Sequence, residues 1–154
     1  MSIRMNKALV YCLFIAAVLA GGILIGINTP PGDWYQALVK PAFNPPNWIF
    51  APVWSALYVM IGIAGARTFL YHRGTGAMRL WGAQLVFNFA WSPVFFGLNE
   101  IALALIVILA LLVSIGCFIA AAWNRDRVSS VLFLPYLAWV LFATALNASI
   151  FALN

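Results

Sequence analysis

Residues 101–123 read IALALIVILALLVSIGCFIAAAW, a run with no charge and no proline. A helix crossing a hydrocarbon core needs about 20 predominantly apolar residues, and this stretch supplies them. Working outward, other charge-free intervals run from Lys7 to Asp33, Lys40 to Arg67, Arg79 to Glu100, and Arg127 to Asn154. Each is long enough for a crossing. The spacing predicts helices near 8–27, 48–70, 79–98, 101–123 and 128–151. The expected fold is an all-α integral membrane protein, one domain over 1–154, built as a five-helix bundle. A membrane barrel would instead need alternating segments of about 10 residues.

Composition agrees. The chain has 154 residues, 66% hydrophobic and 7% charged, with a mean hydropathy of +1.02. A soluble domain is about half apolar and about a quarter charged, and a soluble core of this size cannot hide so much apolar surface. A soluble enzyme, a disordered chain and a nucleic-acid-binding domain are excluded. The net charge of +5 rests on only 8 Lys and Arg, too few for a phosphate-tracking stripe. They orient the chain instead. Arg4, Lys7, Arg67, Arg73, Arg79, Arg125 and Arg127 fall on one side and Lys40 on the other. The positive-inside rule then places the N-terminus in the cytoplasm and the C-terminus outside. Arg4 and Lys7 before an apolar run resemble a signal peptide, but the run continues to Ile27, longer than a usual signal core, and favours an uncleaved helix. Cys12 and Cys117 both fall inside spans and read as small packing residues.

The connection 28–47, NTPPGDWYQALVKPAFNPPN, is the unusual segment. Its five prolines stiffen it, and Trp34, Tyr35, Leu38 and Phe43 are apolar anchors. A helical turn near 33–39 is expected, with Asp33 as its N-cap. The competing reading is an interfacial aromatic belt. The length favours a lid over the outer end of the bundle.

Polar side chains in hydrocarbon should face the bundle interior or a cavity. Gln84, Asn88 and Trp91 share one helical face, as do Trp139, Ala143 and Asn147; Trp54 and Tyr58 stack at i, i+4. Two readings stand side by side: interhelical hydrogen bonding, or a small-molecule pocket with aromatic walls and a few polar anchors. Gly62 with Ala66, and Gly82, Ala83 and Ala90, offer close-packing positions for a helix or dimer contact. Pro93 and Pro135 can loosen their helices. Apart from Arg67 near a span end, no charge lies within the spans, so proton-coupled pumping finds no carrier groups. His72, the single histidine, falls in an inner connection.

The blocks WYQALVKPAFNPPNWIFAPVWSALY (34–58), AQLVFNFAWSPVFFG (83–97) and LPYLAWVLFATALN (134–147) resemble the signature blocks of the translocator protein (TspO/MBR) family. That family includes bacterial tryptophan-rich sensory proteins and the mitochondrial peripheral-type benzodiazepine receptor. The blocks cover more than half the chain, in the family's order. The resemblance implies five spans, a homodimer in a bacterial cell envelope, and a ligand pocket under the first outer loop. It implies a porphyrin such as protoporphyrin IX as ligand, with no required cofactor and no metal site. By matching motif the pocket would take in Trp48, Trp54, Asn88, Trp91, Trp139, Phe142, Ala143 and Asn147. Trp34, Tyr35, Phe43, Tyr58 and Gln84 complete the set drawn from the residues themselves. Trp48 and Trp139 match tryptophans linked in the family with light-dependent porphyrin degradation. The C-terminal LNASIFALN lacks the tyrosines and basic residue of the mitochondrial cholesterol motif, which weakens a sterol reading.

A porphyrin is a large flat π surface with two carboxylates. Trp and Phe faces can stack on it, Asn88 and Asn147 can hydrogen-bond its edge, and Lys40 can pair with a propionate at the mouth. With no histidine placed as an axial ligand, metal-free porphyrin is expected to bind at least as well as haem. The leading expectation is a porphyrin-binding sensor or carrier of hydrophobic ligands in the lipid bilayer. The alternatives are a light- and oxygen-dependent porphyrin-degrading enzyme using Trp48 or Trp139, and a structural or partner-binding membrane protein.

Overall fold

The computed structural model describes residues 6–154; Arg4 of the inner cation set lies outside the described residues. Among the described residues six α-helices form: α1 Lys7–Asn28, α2 Asp33–Ala37, α3 Phe50–His72, α4 Gly76–Ser92, α5 Ile101–Ala122 and α6 Arg127–Leu153. A 3₁₀ turn, Asn47–Ile49, leads into α3, and a π-helical segment, Pro93–Gly97, continues α4. The predicted spans 8–27, 48–70, 101–123 and 128–151 agree with α1, α3, α5 and α6 to within two residues at each end, the usual scatter at helix ends, while 79–98 is matched only by α4 and the π segment together. The chain is an integral membrane protein by the character of these helices.

Among the described residues four helical stretches are long and apolar enough to cross a membrane: Lys7–Asn28, Asn47–His72, Ile101–Ala122 and Arg127–Leu153. α4 is shorter, with 17 residues, or about 26 Å of rise. It gains length only through the π segment. Pro93 explains the change of winding. It has no N–H to bond back to the preceding turn, and the next bond closes a wider ring, Leu98 N–H to Pro93 O at 2.9 Å. Pro135 lies inside α6 without ending it. Asn99, with φ of 59°, turns the chain from the π segment into α5. Asn tolerates this left-handed conformation better than most residues.

The helices pack as a closed ring. α1 lies on α3, α3 on α6, α6 on α5 and α5 on α4, while α4 returns to α3 and α1. The outer surface is apolar. Of the 22 residues in α1, only Val10, Val18 and Gly22 are buried, and Leu9, Leu13, Leu24, Val86, Ile106 and Val113 are exposed. Soluble monomers rarely expose contiguous apolar patches of this extent; lipid is their natural solvent. Cys12 and Cys117 also face outward, as free thiols, and not inward as packing residues.

Small residues let the helices approach. A Cβ at Gly62 would stand 2.6 Å from Ile15 Cα, so only glycine fits where α3 crosses α1. Gly62 is therefore a contact within the chain. Gly22 and Gly65 likewise lie under the rings of Tyr58 and Trp81. Gly82 differs: nothing lies within 4 Å of its Cβ position. An apolar groove of about 380 Å³ runs between α1 and α4, lined by Leu13, Phe14, Ala17, Trp81, Leu85 and Phe89, among others.

The ring is pinned at its charged end by Arg67 and Asp126. Arg67 Nη2 donates to Asp126 Oδ1 at 2.8 Å, and Nε reaches both carboxylate oxygens. Asp126 also N-caps α6, accepting from Ser129 N–H and from Ser129 Oγ–H, the latter at 2.6 Å. Burial pushes its carboxyl upward, but the hydrogen bonds from Arg67 and Ser129 outweigh that and hold it below its ordinary value.

Candidate functional site

The connection between α1 and α3 is ordered by aromatic contacts. α2 starts at Asp33, with Gly32 as its N-cap and no side-chain cap bond. Asp33 thus stands in the first turn, where a carboxylate favours the helix N-terminus, and is not the cap itself. Trp34 meets the Phe95 ring edge-on at 5.7 Å, and Tyr35 meets Phe96 at 5.3 Å. Tyr35 is buried, and burial pushes its phenol above 10, partly opposed by a hydrogen bond to Asn44. Phe43 is half exposed but touches Phe142 of α6, centroid to centroid 6.2 Å.

Two further ties hold this connection. Asn154 Nδ2 donates to Val39 O at 3.0 Å, and Val39 N–H donates to Asn154 Oδ1 at 2.9 Å. Lys40 does not point outward as a free cation. Its ammonium donates to Gln36 O and Leu38 O, both at 3.1 Å, and lies 4.6 Å from the Tyr35 ring centroid. Its charge caps the end of α2.

Beneath the connection, aromatic rings of α3, α4 and α6 meet. Trp139 lies against Phe142 at 5.4 Å and Phe50 at 5.8 Å. Trp54 stacks on Tyr58 at 5.4 Å and meets Tyr136 edge-on at 6.3 Å. Trp91 stacks on Phe95 at 5.1 Å. These offset and edge-to-face arrangements are the favoured ones for aromatic pairs. Ala143 is half-buried beside them, packed against the main core. Trp48 is the exception: it is 73% exposed in the 3₁₀ turn and stands apart from the packed rings.

The polar side chains divide into two groups with different work. Asn147 is bonded at both ends of its carboxamide. Its Oδ1 accepts from Trp91 Nε1 at 3.0 Å and its Nδ2 donates to Ile101 O at 3.2 Å. One carboxamide thus joins α4, α5 and α6, which is the interhelical role. Gln84 and Asn88 instead share the Tyr136 hydroxyl. Asn88 Nδ2 donates to Tyr136 Oη at 2.7 Å, and Tyr136 Oη donates to Gln84 Oε1 at 2.9 Å. Among the described residues, Gln84 Nε2, Asn88 Oδ1 and Trp139 Nε1 are buried without a hydrogen-bond partner. A buried polar atom left so costs about 1–3 kcal/mol, a cost that a bound water or ligand group would relieve.

Tyr136 was not among the sequence candidates, nor were Phe50, Phe95 and Phe96. Tyr136 carried a legible signal. It precedes Trp139 by three and Ala143 by seven, so it shares their face, and a hydroxyl in a membrane helix needs a partner. The phenylalanines carried none, because their spans are apolar on every side.

The TspO/MBR family profile matches residues 14–153. The chain is 35% identical to protein CrtK of Rhodobacter capsulatus, over 97% of this chain and 95% of that one. It is 36% identical to the tryptophan-rich sensory protein of Cereibacter sphaeroides, over 94% and 92%. The human translocator protein shares 32% identity, over 82% of this chain and 79% of its own. With a match over nearly its whole length and relatives at this identity, the chain belongs to the TspO/MBR family.

Proposed function

We propose that this protein is a membrane receptor or carrier for porphyrins and similar flat hydrophobic ligands, held beneath the 28–47 connection. One observation carries the reading. Aromatic side chains from the connection, α3, α4 and α6 converge where Gln84, Asn88 and Trp139 keep buried polar atoms unpaired. Aromatic walls with a few unmet polar groups are the usual make-up of a small-molecule site. Family membership supports the same reading.

In this reading α4 with its π extension is a fifth crossing, the charge asymmetry puts the N-terminus inside, and the 28–47 connection is the outer lid. Two copies form a homodimer in a bacterial envelope. Binding is favoured over porphyrin oxidation because Trp48 is exposed while Trp139 is packed.

The test is a dark titration of the detergent-solubilised protein with protoporphyrin IX, following tryptophan fluorescence. Saturable quenching that Trp139→Ala weakens is expected. Quenching that never saturates, or that detergent micelles alone reproduce, overturns the reading.

A further inference from the structure

At the charged end of the bundle, two cations gather on one aromatic ring. Lys7 Nζ lies 5.3 Å from the Tyr71 ring centroid, and the Arg67 guanidinium carbon lies 5.9 Å from it. The two come from different helices in matching register. Lys7 and Tyr11 stand four apart on α1, Arg67 and Tyr71 four apart on α3, so each pair shares a face. Tyr11 in turn neighbours Arg67. Two cations and two phenols thus meet at the seam between α1 and α3. Lys7 is exposed and Tyr71 is 49% exposed, so the cluster opens outward.

Like charges this close repel, and the chain offers little to offset them. Of its three acidic side chains, Asp33 and Glu100 stand at the other end, where α2 and α5 begin. Asp126 is already spent: its two oxygens accept from Arg67 and from Ser129, which fills a carboxylate's capacity. Among the described residues Arg67–Asp126 is the one ion pair. Lys7, Arg67 and Asp126 together therefore keep one net positive charge. Arg67 uses Nε and Nη2 on Asp126, and its Nη1 hydrogens remain to be given.

A phosphodiester complements this cluster. It carries one negative charge, and its oxygens only accept, facing a lysine, an arginine and two phenols that can all donate. The surroundings call for one that bears hydrocarbon. Leu9 and Leu13, the next outward residues of α1, are 56% and 58% exposed, and Leu13 and Phe14 line the apolar groove between α1 and α4. A phospholipid sets its phosphate on the cations and its chains along this surface. A choline headgroup would bring a third cation to the ring, whereas a glycerol headgroup would not. We propose that the seam formed by Lys7, Tyr11, Arg67 and Tyr71 binds one anionic phospholipid through its phosphodiester. The site is separate from the one beneath the 28–47 connection and does not depend on it.

The experiment titrates the intact protein in maltoside micelles, without porphyrin, and counts bound lipid by native mass spectrometry. The probes are dioleoyl phosphatidylglycerol, dioleoyl phosphatidylcholine and the chain-free headgroup glycerophosphoglycerol. The first phosphatidylglycerol is expected to bind about fivefold tighter than phosphatidylcholine, the effect of one cation on an anionic headgroup. Lys7→Gln should remove that preference. Lys7 is exposed at a helix end, so the variant leaves the packed bundle intact. Arg125→Gln, which removes an exposed cation of the same end, should keep the preference. Equal binding of the two lipids by the parent protein overturns the site. Equal losses in Lys7→Gln and Arg125→Gln overturn it too, because diffuse surface charge then accounts for the preference. Displacement of the lipid by an equal concentration of glycerophosphoglycerol overturns a lipid as the occupant.

Discussion

Trp91 on α4 gives its indole proton to Asn147 on α6 at 3.0 Å, across 56 residues of sequence. The same asparagine donates onward to Ile101 O at the start of α5. Both ends of its carboxamide are spent on the bundle. Replacing Asn147 with Val should therefore act on stability before it acts on ligand. A loss of about 1–3 kcal/mol is expected, because Trp91 Nε1 and Ile101 O are both orphaned. Thermal unfolding in detergent measures it. An unchanged midpoint with lost porphyrin binding would show instead that Asn147 serves the ligand.

The Arg67–Asp126 pair has a defined pH signature. The Asp126 carboxyl is held below its ordinary value in the folded protein, so its contribution is fully present above about pH 4, the unfolded value. That contribution fades as pH falls through the lower folded value. The stability gap between parent and Asp126→Asn should be flat from about pH 5 to 8 and close below about pH 4. Arg67→Leu should cost more, about 3 kcal/mol, because it leaves a buried carboxylate unpaired. A gap that stays constant down to pH 3 would contradict the pairing.

Gly62 and Gly82 should respond in opposite directions to alanine. At Gly62 the added methyl meets the backbone of Ile15, and overpacking of this kind costs about 1–3 kcal/mol. At Gly82 it meets nothing within the chain, so the helix gains about 0.8–1.0 kcal/mol of propensity. Paired melting curves in one detergent check the sign at each site. Destabilisation at Gly82 would indicate that a second copy packs against that face.

The connection over the site should loosen when its anchors go. Phe95 is the common floor for Trp34, Tyr35 and Trp91, and Phe95→Ala should cost about 3–5 kcal/mol. Asn154→Ala removes only the paired bonds to Val39, at about 1 kcal/mol. Hydrogen exchange across residues 29–46 should rise for both, with Asn154→Ala leaving the helices protected. Unaltered exchange in both variants would deny that these contacts hold the connection down.

Much of this protein was legible in one dimension. The intervals between Lys7, Asp33, Lys40, Arg67, Arg79, Glu100 and Arg127 mark where helices can run, because charge is costly in hydrocarbon and the backbone must bond to itself there. The blocks around Trp34, Asn88 and Trp139 were enough to point to the family. The faces bearing Gln84 with Asn88, and Trp139 with Asn147, follow from helical spacing alone.

What each polar group does was decided only in three dimensions. Spacing gave Asn88 and Asn147 the same standing, yet one is left with an unpaired oxygen and the other is bound at both ends. Lys40 read as a free outer cation, yet it caps its own helix. Trp48 and Trp139 read alike as pocket tryptophans, yet one is exposed and the other packed. The physical reason is common to all three. A side chain's hydrogen-bonding capacity is fixed by its type, but how much is already spent depends on neighbours far away in sequence, and only the tertiary structure supplies those neighbours.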